Sequence, residues 1–341
     1  MRKFTLGLVC SGQKFTEMSM VSLYSVYSNI TKSYAFEKIV EEIMLVTDEP
    51  SNILISFAKS LHKNVRVIRP SDWTNKGFPS FRGNYATYFK FDLLFNLATN
   101  RTLIYIDSDA FLIKNLDLNF IVNRIESSSI RDSILMVPSH RPVIERIGFI
   151  NKSNPFYYFN AGFMVITLRN KLTPNKLKNH LNYYPESLSD LTWHDQDLIN
   201  SYFGNIIEPL PLRYNVSTGM LKKTNFTRGY LNYLAAAELM QAVVAHASGG
   251  ILHSKKYYPF RDFILAIAKN AIEDSAVSEY HKSVFKKFFS EVNNNSGFKI
   301  KKLKKFLGLT PECSPALYSD NLYWKKALRI TLNRLLRFFI L

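Results

Sequence analysis

The sequence predicts an α/β protein built on a mainly parallel sheet with helices on both faces. Two patterns and one bound carry this. Short apolar runs alternate with helically spaced runs through the N-terminal half, the βαβα order that builds parallel sheets. Three of the apolar runs end in polar residues, at Ser11, Thr47 and Asp107, where open sheets of this kind bind ligands beyond their carboxyl ends. The bound is size and composition: 341 residues, 47% apolar and 21% charged, describe a globular chain of one large or two modest domains.

The elements follow in order. Phe4–Cys10 is an apolar strand; with too short an apolar core and no small-residue cleavage site, the start reads as a strand rather than a signal peptide. Met18–Tyr27 has helical spacing. Ile43–Val46 is a second strand, closed by the turn cluster Thr47-Asp48-Glu49-Pro50. Ile53–Leu61 is helical, and Val65–Ile68 is a strand stopped by Pro70. Residues 71–84, rich in Gly, Pro, Ser and Asn, form a loop before a helix over Tyr85–Leu97. Leu103–Ile106 is a fourth strand ending at Asp107. The middle is less regular: strands at Ile134–Val137 and Phe163–Leu168, a helix over Trp193–Phe203, and a short buried strand at Ala242–Ala245. A Pro- and Lys-bearing loop at 254–259 marks a boundary, dividing an α/β unit, 1–260, from a helical basic region, 261–341. That region reads as helices over Ala276–Val292, Lys299–Leu307 and Tyr323–Leu341.

Charge and cysteine usage narrow the classes. Lys and Arg number 44 against 27 acids, a net +17, of which residues 281–341 carry +10. A polyanionic surface is implied for that end. Two cysteines make neither a disulfide framework nor a zinc finger, and a reducing, cytoplasmic compartment is the simplest home. No apolar run of about 18 residues is present, so no transmembrane helix is expected.

The sharpest chemical feature is Asp107-Ser108-Asp109 at the end of a buried strand. Two carboxylates so spaced can project toward one point and hold a hard or borderline divalent cation, leaving positions open for phosphate oxygens. Read alone, such a pair also serves as a turn or a helix cap. Four segments follow in order. Phe159-Asn160-Ala161-Gly162-Phe163 reads as a small-residue turn. Trp193-His194-Asp195-Gln196-Asp197 opens a helix with acids, which by themselves complement its positive end. Leu210-Pro211-Leu212-Arg213-Tyr214-Asn215 is extended, and Val243-Val244-Ala245-His246-Ala247-Ser248-Gly249 is a strand ending in His and Gly.

With these five motifs in this order, the sequence resembles glycosyltransferase family 8, the retaining enzymes that include glycogenin and bacterial lipopolysaccharide galactosyl- and glucosyltransferases. The resemblance covers about residues 4–260. It implies a GT-A, Rossmann-like nucleotide-sugar-binding domain with a mainly parallel mixed sheet, followed here by the basic helical extension. It also implies a donor UDP-sugar, a glycan or lipid-linked acceptor of lipopolysaccharide or capsule type, and Mn²⁺, with Mg²⁺ the other candidate.

Residue by residue, the resemblance makes Asp107 and Asp109 metal ligands, with Ser108 against the ribose. The third ligand is His246, three residues before Gly249; His253 is its rival but has no such glycine. Gly249 and Lys255 would meet the diphosphate, with Lys256 as an alternative to Lys255. Cys10 and Ser11 would hold uracil, Phe15 would stack on it or pack in the core, and Lys90 would pair with the diphosphate or a site acid. Asn160 and Ala161 would line the donor sugar, Asp195 would bind its hydroxyls, and Gln196 would lie beneath the anomeric carbon, with Asp197 as a nearby support. Asn215 is expected to order the site or the acceptor side.

The C-terminal segment adds a surface. At about 100° per residue, Trp324, Leu328, Leu332, Leu335 and Phe339 fall within an arc of about 80°, flanked by Lys325, Lys326, Arg329, Arg334 and Arg337. That pattern suits a helix lying on the cytoplasmic face of an anionic membrane; the alternative is a helix docked on the catalytic unit. Two other classes stand beside the transferase. A metal-dependent phosphoesterase could use the Asp pair but gives no role to Asn160 or to the Asp195-Gln196 helix. A basic nucleic-acid module is allowed by the charge alone, but no nucleic-acid motif is present and no nucleic-acid partner is expected.

Overall fold

A computed structural model describes residues 3–12, 15–48, 52–72, 85–127, 132–139, 158–182, 194–204, 206–217, 241–247 and 261–294. Gly249, His253, Lys255, Lys256 and residues 140–156 and 295–341, with the helices expected over Lys299–Leu307 and Tyr323–Leu341, lie outside the described residues.

The centre is a seven-stranded sheet ordered β3-β2-β1-β4-β7-β6-β8. Its strands are β1 (Phe4–Cys10), β2 (Val40–Thr47), β3 (Val65–Ile68), β4 (Thr102–Ile106), β6 (Ser133–Pro138), β7 (Phe159–Thr167) and β8 (Ile207–Pro209). All pairings are parallel except those of β7, which runs antiparallel to both β4 and β6. Between β4 and β6 lies β5 (Ala110–Leu112), which joins β9 (Val216–Ser217) and β10 (Val244–His246) in a second sheet ordered β5-β10-β9.

Both faces of the large sheet are buried, because successive side chains along each strand point to opposite sides. Leu6 and Leu8 of β1, Ile43 and Leu45 of β2, and Ile104 and Ile106 of β4 enter one core with helix α1 (Thr16–Thr31) and helix α3 (Asn52–Leu61). Met44, Val46, Leu103 and Tyr105 enter the other, with α4 (Lys90–Asn96), α6 (Pro174–Asn182) and α7 (Asp195–Phe203). The helix expected over Tyr85–Leu97 divides into a 3-10 turn, Ala86–Phe89, leading into α4. The short α2 (Phe36–Ile39) leads into β2.

Like α2, two more helices before the basic region fall where the pattern reading placed none. At α5 (Leu118–Ser127), Asp117 accepts the Phe120 N–H at 2.9 Å; at α6, Thr173 precedes Pro174 and accepts the Lys176 N–H at 3.3 Å. Both are local N-cap signals, the second with proline at the first helical position.

The first part of the basic region belongs to the main core. Helices α8 (Arg261–Glu273) and α9 (Glu279–Asn294) pack against α1, and Ile264, Ala268, Phe285 and Phe288 are fully buried there. Tyr24 on α1 donates to Asp274 at 2.8 Å, and Phe285 meets Tyr24 and Phe57 edge-on. Replacing either buried phenylalanine by alanine would cost about 3–5 kcal/mol, so this hairpin contributes substantially to the fold.

One sequence expectation is corrected. Residues 159–163 are strand, not a turn: Ile106 pairs with Phe163, and the Asp107 N–H donates to the Gly162 carbonyl at 2.9 Å. On the other side the register jumps, Met136 opposing Met164 while Val137 opposes Asn160. The small residues mark a bulge, which re-aims side chains without ending the strand.

Candidate active site

The site forms where β1 and β4 end, and the second sheet completes it. Asp107-Ser108-Asp109 leaves β4 and turns directly into β5, with the Ala110 N–H donating to the Asp107 carbonyl at 3.0 Å. β10 pairs antiparallel with β5, setting His246 opposite Ala110, and the Ala247 N–H donates to the Asp109 carbonyl at 2.9 Å. An imidazole 137 positions along the chain from Asp109 is thus fixed beside it by backbone pairing.

One ligand atom from each of Asp107, Asp109 and His246 lies within 4.8 Å of the others. His246 Nε2 is 3.2 Å from Asp109 Oδ1 and 3.6 Å from Asp107 Oδ2. The other oxygen of Asp107 is engaged internally, by the Tyr105 hydroxyl and by Lys90 Nζ at 3.4 Å. Oδ2 of Asp107, Oδ1 of Asp109 and Nε2 of His246 therefore converge as two oxygens and a nitrogen, a donor set that fits a borderline divalent cation. Burial alone would lower the His246 pKa, but Asp109 and then Asp107 outweigh it and the net shift is upward. A cation at the same point would relieve that concentration of negative charge.

Lys90 is 6% exposed and bridges two parts of the site. Its Nζ is 2.6 Å from Asp195 Oδ2, lies 5.1 Å from the centre of the Tyr105 ring, and reaches the Ala161 carbonyl at 3.5 Å. Burial disfavours its charge, but the Asp107 and Asp195 carboxylates win and hold the ammonium above its usual range. Burial pushes the Asp195 carboxyl up, and Lys90 pulls it back. Tyr105 is raised by burial and by Asp107, so its hydroxyl remains a donor.

The floor comes from β7 and α7. The Ala161 N–H donates to Gln196 Oε1 at 3.2 Å, which fixes the Gln196 amide oxygen toward the strand. Asn200 grips the start of β7, accepting the Phe159 N–H at 2.8 Å and donating to the Phe159 carbonyl at 2.9 Å. The Tyr158 hydroxyl donates to fully buried Asp197. His194, at φ 49°, turns the chain so that Asp195 opens α7 against Lys90.

Gly162 has a steric role. A Cβ there would stand 2.2 Å from Cε1 and 2.3 Å from Nδ1 of His246. Its φ is not positive, so room for the imidazole, rather than a turn, requires glycine.

At the end of β1, Ser11 donates to Asp48 Oδ2 at 2.6 Å, and the Gly12 N–H donates to Oδ1 at 3.2 Å. Gly12, at φ +73°, opens the turn that the Phe15 N–H closes. Cys10 is buried, with its thiol pKa raised by burial, so backbone is what it can offer a ligand. Phe15 is half-buried against the main core, and Ser108 is half-buried. The structure thus gathers Asp107, Asp109, His246, Lys90, Asp195, Gln196, Asn160 and Ala161 through direct contacts. Sequence reasoning passed over Tyr105, Asp48 and Asn200; the only signal for Tyr105 was its place two residues before Asp107, on the same strand face.

This fold and this site place the chain among known proteins. Residues 8–248, more than half of the sequence, match glycosyl transferase family 8, and the chain belongs to that family. Galactinol synthases 5 and 6 of Arabidopsis thaliana are each 23% identical to it over 225 residues, 62% of this chain. The match spans 64% and 63% of those two proteins, so the chain covers less than two thirds of their length. Among solved structures, the galactosyltransferase LgtC, in complex with donor and acceptor sugar analogues, superposes with a TM-score of 0.55 at 15% identity, over 87% of this chain and 98% of that one. The bifunctional glycosyltransferase WbbM, in its apo form, gives 0.52 at 16% identity, over 84% and 51%. At such identities the likeness establishes the fold, which is of the GT-A type.

Proposed function

We propose that the protein is a retaining glycosyltransferase that moves a hexose from a UDP-sugar to a hydroxyl of a glycan or lipid-linked acceptor, with Mn²⁺ as cofactor. The observation that carries this reading is the meeting of the Asp107–Asp109–His246 donor set with the Lys90–Asp195 pair beside Gln196. Those three ligands would hold the cation, which when bound supplies neutralising charge to a departing diphosphate. The imidazole favours Mn²⁺ over Mg²⁺.

The remaining chemistry falls to side chains. Asp195, held by Lys90, would accept hydrogen bonds from sugar hydroxyls. By the family's pattern Gln196 would lie beneath the anomeric carbon, where a retaining hydrolase needs a carboxylate nucleophile, and an amide is a poor one. A front-face route fits instead. The acceptor oxygen bonds to the anomeric carbon as the bond from that carbon to the diphosphate oxygen breaks. The bonding pair leaves with UDP, and the hydroxyl proton passes to a phosphate oxygen. The Gln196 amide oxygen, with one lone pair on Ala161, offers the other to the positive charge that develops. Ser11, Phe15 and the Cys10 backbone would take the base, Ser108 the ribose, and Gly249 and Lys255 the diphosphate. The family assignment and the LgtC complex with donor and acceptor sugar analogues support this reading.

The test is a thermal-shift screen of nucleotide-sugars with and without Mn²⁺, followed by an assay of UDP release. A donor at about 100 times its Kd should stabilise the fold by about 2.7 kcal/mol, and only with metal. Asp107→Asn and Asp109→Asn should each lower turnover about 10²-fold or more. Full turnover in both variants would remove the metal from the account.

A further inference from the structure

We propose that Asn215 is a positioning residue that fixes which nitrogen of His246 faces the metal, and that its own orientation is set by Asn160 on β7. The inference deepens the metal-dependent reading above and rests on it. It begins at one backbone group. The Gly162 N–H can only donate, and it points to the Asn160 side chain at 2.9 Å, so the Asn160 atom there is its oxygen. The Asn215 side chain reaches that same oxygen at 2.7 Å and must do so with its NH₂. The Asn215 amide oxygen is thereby turned to His246 Nδ1, 3.0 Å away. An amide oxygen can only accept, so Nδ1 carries the hydrogen. In the neutral ring Nε2 is left with a free lone pair, and Nε2 is the nitrogen that faces Asp109 and Asp107.

Each step is enclosed. Asn215 is fully buried, and His246 and Asn160 are nearly so, and a flipped Asn215 amide would set its oxygen against the Asn160 oxygen. Asn215 is held in turn by its place in the chain: its N–H donates to the Leu212 carbonyl at 3.0 Å, and β9, which follows it, pairs with β10 so that Ser217 lies beside His246. The orientation of the metal-facing imidazole is therefore inherited, through two amides, from the bulge of β7 that would line the donor sugar. Outer-shell partners of this kind typically change metal affinity 10- to 100-fold when removed.

The experiment uses the full chain and Mn²⁺ alone. Free Mn²⁺ is followed by electron paramagnetic resonance in wild type, Asn215→Leu and Asn215→Asp, and electron spin-echo modulation reports the bound imidazole nitrogen. Asn215→Leu keeps the shape but cannot accept from Nδ1–H, and should bind Mn²⁺ about 10- to 100-fold more weakly with a reduced nitrogen signal. Asn215→Asp still accepts from Nδ1–H but cannot donate to the Asn160 oxygen, so it should bind Mn²⁺ more tightly than Asn215→Leu, with the nitrogen signal restored, yet more weakly than wild type. Independently of any variant, ¹⁵N-histidine spectra of the Mg²⁺-loaded wild type should show the His246 proton on Nδ1. Wild-type affinity and nitrogen signal in Asn215→Leu, or a proton on Nε2, would overturn the role of Asn215. Wild type that takes up no Mn²⁺ at all would instead sink the metal site itself, and the inference with it.

Discussion

At the scale of residues, two side chains show how tightly the site is specified. Gly162 is the only residue type that leaves space for the His246 ring, since a Cβ would sit 2.2 Å from Cε1. Gly162→Ala should therefore displace the imidazole while β7 persists. The expected result is at least a ~10-fold loss of Mn²⁺ affinity with unchanged circular dichroism, on the scale of lost metal-site partners; unchanged affinity would refute the packing argument. Lys90 is the counter-charge for two carboxylates in a buried place. Breaking a buried pair by removing one partner leaves the other uncompensated, at about 3–5 kcal/mol. Lys90→Met should lose that much in urea unfolding, and Lys90→Met with Asp195→Asn should recover part of it. If the single variant is as stable as wild type, the ion pair is not holding the site together.

At the scale of elements, the docking of α9 on α3 should depend on pH. His281 accepts or donates to Ser56 Oγ through Nε2 and to Ser278 Oγ through Nδ1, each at 2.9 Å, and serine hydroxyls can satisfy a neutral ring on both sides. Burial lowers its pKa below the ordinary 6.5. The neutral ring is thus the folded form. Its contribution is fully present above about pH 6.5 and declines as pH falls through that value toward the lower folded one, because the unfolded chain takes up the proton first. Urea unfolding between pH 7.5 and 5 should show this loss, and His281→Asn should have a flatter pH dependence. Identical slopes would exclude His281 as a source.

At the scale of the whole molecule, segments far apart in the chain meet on α1. Its Ser22 hydroxyl donates to the Asp107 carbonyl at 3.3 Å, while its Tyr24 and Glu17 hold Asp274 and Lys287 of the C-terminal hairpin at 2.8 and 2.6 Å. Of the net +17, residues 295–341 carry +8, ten Lys and Arg against Glu312 and Asp320, in the stretch that ends in the amphipathic pattern. Among the described residues no helix is long and apolar enough to cross a membrane. From the apolar stripe and basic flanks of the final segment, we propose attachment at an anionic membrane surface, on the cytoplasmic face, through that segment. Deletion from Asp320 onward should release the protein from anionic vesicles and leave the Mn²⁺-dependent thermal shift intact. Undiminished vesicle binding would place the contact elsewhere.

The sequence by itself determined the strands of the parallel half, because β1 through β4 are apolar runs of strand length with polar ends, and local chemistry suffices to mark them. It also determined the acidic pair, whose members are neighbours in the chain. The turn read at 159–163 failed because glycine permits both a turn and a close approach, and only the neighbouring ring reveals which is needed. The short strands β5, β8 and β9 were illegible, since two or three residues carry no period. What the tertiary structure alone decided is the company that side chains keep. His246 reaches Asp109 through the pairing of β10 with β5, and Lys90 reaches Asp195 through the packing of α4 and α7 on one sheet face. Those contacts are set by how distant segments share a buried surface, and no local pattern records that.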